Sequence, residues 1–350
     1  MTLAQPPPIH IYPPLLNSAN PWATTLQDLK ALYECPSTGA VTTRTTLLEE
    51  GFAHDPNFHQ YTFFNASTHA APSGTVSTPL AAAPGESASL NNLGYSPITL
   101  DTYLEFIREI AGEPAAADEN MDNNNNKNKK LFIVSVTGNP DEVAECYTRI
   151  AVLARDTRIP LAIEINLSCP NIPGKPPPAY DAEALAPYLD LAGWWSGGVT
   201  TQVPWGIKTP PYTHAGQFAM LGAALVRAAG KMSYCPISFV TATNTLGSCL
   251  VLSDAAEPRL AGSGVGGMAG APLHPLALGN VRALREMLDA APQTRHVAVI
   301  GVGGVEDADG YRRMRRVGAA AVGVGTALGR KGVKVFGEIE EGLARRKWEV

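Results

Sequence analysis

The 350-residue chain carries few of the features that mark secreted, membrane-bound or nucleic-acid-binding proteins. Its five cysteines, Cys35, Cys146, Cys169, Cys235 and Cys249, are odd in number and far apart and form no C-x-x-C pair. That pattern argues against a disulfide framework and against a zinc or iron–sulfur site, so no metal is expected. No apolar stretch reaches the ~18 residues that a membrane-crossing helix needs. The opening residues, Met-Thr-Leu-Ala-Gln-Pro-Pro-Pro, lack both the basic flank and apolar core of a secretory signal and the Arg-rich amphipathic helix of an organelle presequence. A reducing, cytosolic compartment without a membrane anchor is the expectation. Charge is also scarce: 17% of residues are charged and the net charge is −5. Lysines and arginines are scattered, apart from Arg312, Arg313, Arg315 and Arg316 on one predicted helix and the stretch from Arg345 to Lys347. Such a surface speaks against nucleic acid as the main partner.

What the chain has in quantity is short apolar, β-branched runs. Eight are found: Ile9–Leu16, Ala40–Thr45, Leu131–Val136, Leu161–Ile165, Val203–Ile207, Ile237–Thr241, Val297–Val302 and Ala319–Val324. The first is the weakest, because Pro13 and Pro14 interrupt it. Between most of them lie amphipathic stretches predicted as helices over Thr25–Tyr33, Leu100–Ala111, Pro140–Arg155, Ala182–Leu191, Thr213–Ala229, His274–Leu288 and Asp307–Val317. Continuous apolar strands alternating with helices imply buried parallel strands, and eight repeats predict an α/β fold, a closed (β/α)₈ TIM barrel forming a single domain. The alternative is an open doubly wound sheet, which would place a Gly-rich turn after the first strand. Two segments fall outside the alternation. Residues 66–89, rich in small residues, and 113–130, with its Asn/Lys run, are too polar or too small-sided to form a core and are expected to be surface insertions.

In such a barrel the site gathers where the strands end. The fourth run stops in Asn166-Leu-Ser-Cys-Pro-Asn-Ile-Pro, so Asn166, Ser168, Cys169 and Asn171 offer two amides, a hydroxyl and a thiol, with Pro170 and Pro173 stiffening the loop. That set suits a planar, hydrogen-bond-rich substrate with an acid–base group beside it. The second strand ends in Thr43-Arg44-Thr45, the fifth in Lys208-Thr209 and the sixth in Thr243-Asn244-Thr245. After the last two come Gly301-Val-Gly303-Gly304 and Gly323-Val-Gly325-Thr326, with Gly264-Val-Gly266-Gly267 upstream. Glycines there let backbone N–H groups approach a phosphate closely, so a phosphorylated cofactor is implied. Their spacing is not that of a dinucleotide fold, nor is there a Walker lysine. Lys208 could hold an anion that develops during turnover, such as a reduced flavin ring.

The run Asn166-Leu-Ser-Cys-Pro-Asn-Ile-Pro-Gly-Lys-Pro, taken with Lys208-Thr-Pro-Pro-Tyr, Asn244-Thr-Leu-Gly247, Gly266-Gly267, Asn280-Val-Arg282, Gly303-Gly304 and Gly325-Thr-Ala-Leu328, resembles class 1 dihydroorotate dehydrogenase. The Asn-Ile-Pro-Gly-Lys-Pro continuation resembles the cytosolic, homodimeric class 1A branch. The resemblance implies an FMN-dependent oxidation of dihydroorotate to orotate in pyrimidine biosynthesis, with fumarate as acceptor. It implies that Cys169 removes the C5 proton while hydride passes from C6 to flavin N5. Asn91, Asn166, Asn171 and Asn244 would bind the pyrimidine, assisted by Thr245 and by the backbone of Leu93-Gly94-Tyr95. Lys208 would touch the flavin N1–O2 edge, and Gly266, Gly267, Gly303, Gly304, Gly325 and Thr326 would hold the ribityl phosphate.

The chain departs from the family at one corner. The lysine that ends the family's second strand is Arg44 here, a larger planar fork. The family's Asn-Ala-Ser-Gly under the flavin reads Asn17-Ser18-Ala19-Asn20, leaving Ser18 and Ala19 as the implied flavin contacts. A loop that supplies an arginine in the family is replaced by Gly51-Phe-Ala-His-Asp-Pro-Asn-Phe58, and its Met-Gly-Leu-Pro-Asn turn becomes Leu93-Gly94-Tyr95-Ser96-Pro97. These changes motivate two alternatives: a paralogous FMN oxidoreductase acting on a different cyclic amide or activated alkene, and a flavin-binding protein without turnover.

Overall fold

The computed structural model describes residues 5–78, 81–112, 129–168, 177–191, 203–230, 233–343 and 348. Thirteen strands occur among them: β1 (Leu15–Asn17), β2 (Ala40–Thr42), β3 (Tyr61–Phe64), β4 (Thr75–Val76), β5 (Ala88–Asn91), β6 (Leu131–Val136), β7 (Leu161–Asn166), β8 (Trp205–Thr209), β9 (Phe239–Ala242), β10 (Leu246–Leu250), β11 (Val265–Gly270), β12 (Ala298–Val302) and β13 (Ala321–Val324). Eight of them close into a parallel barrel in the order β1-β13-β12-β9-β8-β7-β6-β2. The TIM-barrel expectation therefore holds and the open-sheet alternative falls. The first run shortens to Leu15–Asn17, because ring and missing N–H at Pro13 and Pro14 keep the preceding residues out of the ladder.

Period-2 alternation sorts the strand residues between two cores. Outward-facing Val41, Val134, Ile163, Ile165, Ile207 and Val240 pack under the surrounding helices, while Leu16, Ala40, Ile133, Ala162, Phe239 and Ile300 fill the barrel's interior. The helices begin where the chain offers caps: Thr25 and Asn139 each close a capping box, and Asp307 accepts from Gly310 N.

The barrel also has a roof. Strands β3, β4 and β5, inserted after β2, pair antiparallel with β10 and β11, inserted after β9, in the order β10-β11-β5-β3-β4. The segment 66–89 is thus more than a surface insertion: it carries β4 and leads into β5, with Ala71, Ala88 and Glu86 buried. Its small side chains do form a core once Phe64, Leu90 and Leu260 supply the bulk. Most of the second segment, residues 113–128, lies outside the described residues. Its last residue, Lys130, is lodged at the barrel's base, where its Nζ donates to the carbonyls of Leu32 (3.3 Å), Tyr33 (2.6 Å) and Cys35 (2.7 Å) and to Thr38 Oγ1 (2.8 Å).

Candidate active site

One cleft, about 1030 Å³ of empty space counting its open, solvent-filled mouth, lies between the C-terminal strand ends and the roof. Its lining brings together Ser18, Ala19, Arg44, Asn91, Leu93, Gly94, Tyr95, Asn166, Lys208, Asn244, Thr245, Gly303, Gly304, Gly325 and Thr326, which the sequence placed on separate loops. Cys169 and Asn171 lie outside the described residues. Gly266 and Gly267 are not in the lining: they sit inside β11, where a Cβ at Gly266 would stand 2.5 Å from Asn91 O and the Gly267 carbonyl accepts from Asn91 Nδ2. Gly266 allows β11 to lie close against β5. The sequence reading could not separate this packing need from a phosphate turn.

The floor of the cleft is a connected polar network. Inward-facing Glu164 and Asn166 on β7 stand beside Lys208 on β8, which pairs with Asn166 in register. Lys208 Nζ is 4.0 Å from Glu164 Oε1, beyond hydrogen-bond reach, and both side chains are buried. Ser135 Oγ donates to Glu164 Oε1 (2.9 Å) and bonds Thr45 Oγ1 (2.9 Å), which accepts from Asn166 Nδ2 (3.0 Å). Asn166 Oδ1 accepts from Ser168 N and Oγ and from Asn244 Nδ2, and Asn244 Nδ2 also reaches Ser168 Oγ at 3.0 Å. Two amides are thereby held rigidly at the mouth. Above them, Thr243 Oγ1 is buried and has no hydrogen-bond partner among the described residues.

Glu164 was missed at the sequence level, although a signal existed. In Ala162-Ile-Glu-Ile-Asn166 the isoleucines must face the helices, which turns an acid into a barrel interior. Ser89 was also missed, and Thr243 was placed at the sixth strand's end but given no role. Ser89, on β5, hydrogen-bonds Thr326 (Oγ to Oγ1, 2.9 Å) and so ties the roof to the last glycine loop.

The two glycine loops form the cleft's other wall. Gly304 has φ +66°, and a Cβ there would stand 2.7 Å from both Gly270 O and the His274 side chain, so only glycine fits. Behind the loop, Arg313 Nε donates to His274 Nε2 at 3.0 Å. Arginine only donates, so His274 carries its proton on Nδ1 and donates it to Gly303 O at 2.7 Å. Burial and the neighbouring Arg313 charge both lower the His274 pKa, in keeping with that neutral tautomer.

At the opposite corner, Arg44 Nη2 bonds His54 Nε2 (3.1 Å) and the Gly94 carbonyl (3.3 Å). His54 packs edge-on against Phe52 and His59 at 5.1 and 5.6 Å. Burial, then the Arg44 charge, pushes its pKa down to about 4. The cleft thus combines two cations, convergent amides and a glycine-lined wall. Such a set can seat a planar anionic ring stack and a phosphate.

The sequence pattern of the family described as "Dihydroorotate dehydrogenase" matches residues 57–346. A putative dihydroorotate dehydrogenase A (fumarate) of Streptococcus agalactiae is 30% identical over 256 residues, 73% of this chain and 72% of the relative. The dihydroorotate dehydrogenase (fumarate) of Trypanosoma cruzi is 30% identical over 262 residues, 73% of this chain and 72% of its own. Its Trypanosoma brucei brucei counterpart is 27% identical over 337 residues, covering 94% of this chain and 88% of the relative. A ligand-free DHODH of Eimeria tenella shares the fold at 17% identity and a TM-score of 0.64, covering 97% of this chain and 88% of that one.

Proposed function

Because the chain belongs to the dihydroorotate dehydrogenase family, an oxidoreductase family, we propose that it oxidises dihydroorotate to orotate with FMN as cofactor and fumarate as acceptor. The observation that carries the reading is the Asn166–Asn244–Ser168 amide network held between Lys208 and the glycine loops. The residues fit the cofactor. The wall that a Cβ at Gly304 would fill, with Gly303, Gly325 and Thr326, suits a phosphate, and the unpartnered Thr243 hydroxyl and Lys208 amine suit the polar edge of a flavin. Bound FMN supplies the two-electron acceptor for the C6 hydrogen.

The chain's own residues supply the rest. Asn91, Asn166, Asn171 and Asn244, with Thr245 and the Leu93-Gly94-Tyr95 backbone, orient the ring, while Arg44 faces its carboxylate. Cys169 takes the C5 proton. An ordinary thiol titrates near pH ~8.5, so the rate should climb as pH rises through that range. The cytosolic, homodimeric state implied by the resemblance belongs to the same proposal. No helix among the described residues is long and apolar enough to cross a membrane.

The purified protein should be yellow with about one FMN per chain, and Cys169→Ala should keep the flavin while slowing its reduction by dihydroorotate roughly 10²–10⁴-fold. Colourless protein that takes up no FMN would sink the reading. A yellow protein that dihydroorotate never bleaches would favour the paralogue, an FMN oxidoreductase of another cyclic amide or activated alkene, which Arg44 and its histidine partner motivate.

A further inference from the structure

Arg44 lies just past the end of β2 with several soft torsions between its backbone and its charge, so something must decide where the guanidinium points. Its fork is anchored on the Gly94 carbonyl and on the ring of His54. The histidine is the more informative, because it comes from the rewritten loop Gly51–Phe58. Since a guanidinium can only donate, Nε2 of His54 accepts. The Gly94 carbonyl, which accepts from the same guanidinium, belongs to the Leu93-Gly94-Tyr95 turn, so the arginine links His54 to that turn across one corner of the cleft.

The charge of the pair follows. The charged groups that act on His54 are Arg44 and His59, both of which oppose a second positive charge, and burial opposes it further. The ring stays neutral near pH 7 and cancels none of the arginine's charge. An acid at position 54 would have formed an ion pair with Arg44; a neutral acceptor holds its direction without cancelling its charge.

We propose that His54 is a positioning residue that aims Arg44 as a carboxylate receptor, making the corner selective for planar carboxylates over the corresponding neutral rings. The inference rests on the dihydroorotate reading for the identity of the substrate, but not for the chemistry of the corner. Without His54 the fork loses one of its anchors, and a carboxylate must then do more of the ordering on binding.

The test uses the FMN-loaded protein and follows the flavin spectrum during titration with orotate, with fumarate as a second planar carboxylate, and with uracil as orotate without its carboxylate. In His54→Phe, which fills the space but cannot accept, orotate and fumarate affinity should each fall about ten-fold or more while uracil affinity holds. His54→Gln, whose Oε1 can accept from Arg44, should recover most of the loss, and His54→Ala serves if the phenyl ring does not fit. Equal weakening of uracil and orotate, or unchanged orotate affinity, would overturn the inference. Wild type that binds fumarate in a His54-dependent way but not orotate would leave the inference standing and remove dihydroorotate as substrate. Binding of neither carboxylate would overturn the receptor itself.

Discussion

Two of the lysines, half-buried Lys130 and buried Lys208, stand one at each end of the barrel, and they are treated in opposite ways. Lys130 at the base meets four oxygens within 3.3 Å, three of them carbonyls at the end of the helix Leu26–Glu34, where Thr38 also donates to Leu32 O and Cys35 O. Lys208 at the mouth is more enclosed, yet the nearest carboxylate among the described residues, that of Glu164, stands 4.0 Å away. An ammonium with every donor satisfied is spent on the fold. One whose donors find no hydrogen-bond partner among the described residues is kept for something that arrives later, and the protein bears the desolvation until it does. Glu164 makes this tolerable, since it lies near enough to offset the charge and, with Ser135 held on its Oε1, too far to cap it.

Exchanging each lysine for methionine should separate these roles. Lys208→Met is expected to have the largest effect, slowing flavin reduction by dihydroorotate about 10²–10³-fold in stopped-flow absorbance, as for the loss of one preorganised charge at a reacting group. An unchanged rate would make Lys208 a structural lysine like its counterpart. Lys130→Met should leave that rate within a factor of two or so, and cost about 1–3 kcal/mol in denaturant unfolding, since it strips a charged donor from buried carbonyls. The smallest effect is on pH dependence. Burial lowers the Lys130 pKa to about 8, below its usual 10.5. Between those values the unfolded chain holds a proton that the folded chain has released, so this group's contribution to stability grows as pH rises through the window and is lost as pH falls through about 8. The wild type should show that slope relative to Lys130→Met, and parallel stability profiles would refute the shift.

The same contrast explains what could be read from the residues alone. The barrel was legible because its strands are continuous β-branched runs, and Leu161–Asn166 or Leu131–Val136 stand out in any window. The strand-end site was legible for a related reason: amides, lysine and arginine interrupt apolar strands at repeated positions. The roof was not. Its strands are as short as Thr75–Val76, rich in Ala, Ser and Gly, and draw their apolar partners from segments far apart in sequence, so no local periodicity betrays them. Gly266 was misplaced for that reason, and Glu164 was overlooked because a lone acid in a strand reads as solvent-facing until the barrel closes around it. The Arg44–His54 pair lay beyond reach, since nothing in a ten-residue separation says that the two side chains meet.

The roof also dictates when the cleft can exist. Its central pairing joins Ala88–Asn91 to Gly267–Gly270, and its clasp to the floor joins Ser89 to Thr326. A chain emerging from the ribosome can assemble β1, β2 and β6 to β8 from neighbouring segments, but it has no second half of the roof until β11 has been made and no clasp until residue 326 has followed. Contacts of such long separation close slowly. The cleft is therefore among the last parts of the molecule to form, and a chain cut short of its final strand would lack both the clasp and the last glycine loop.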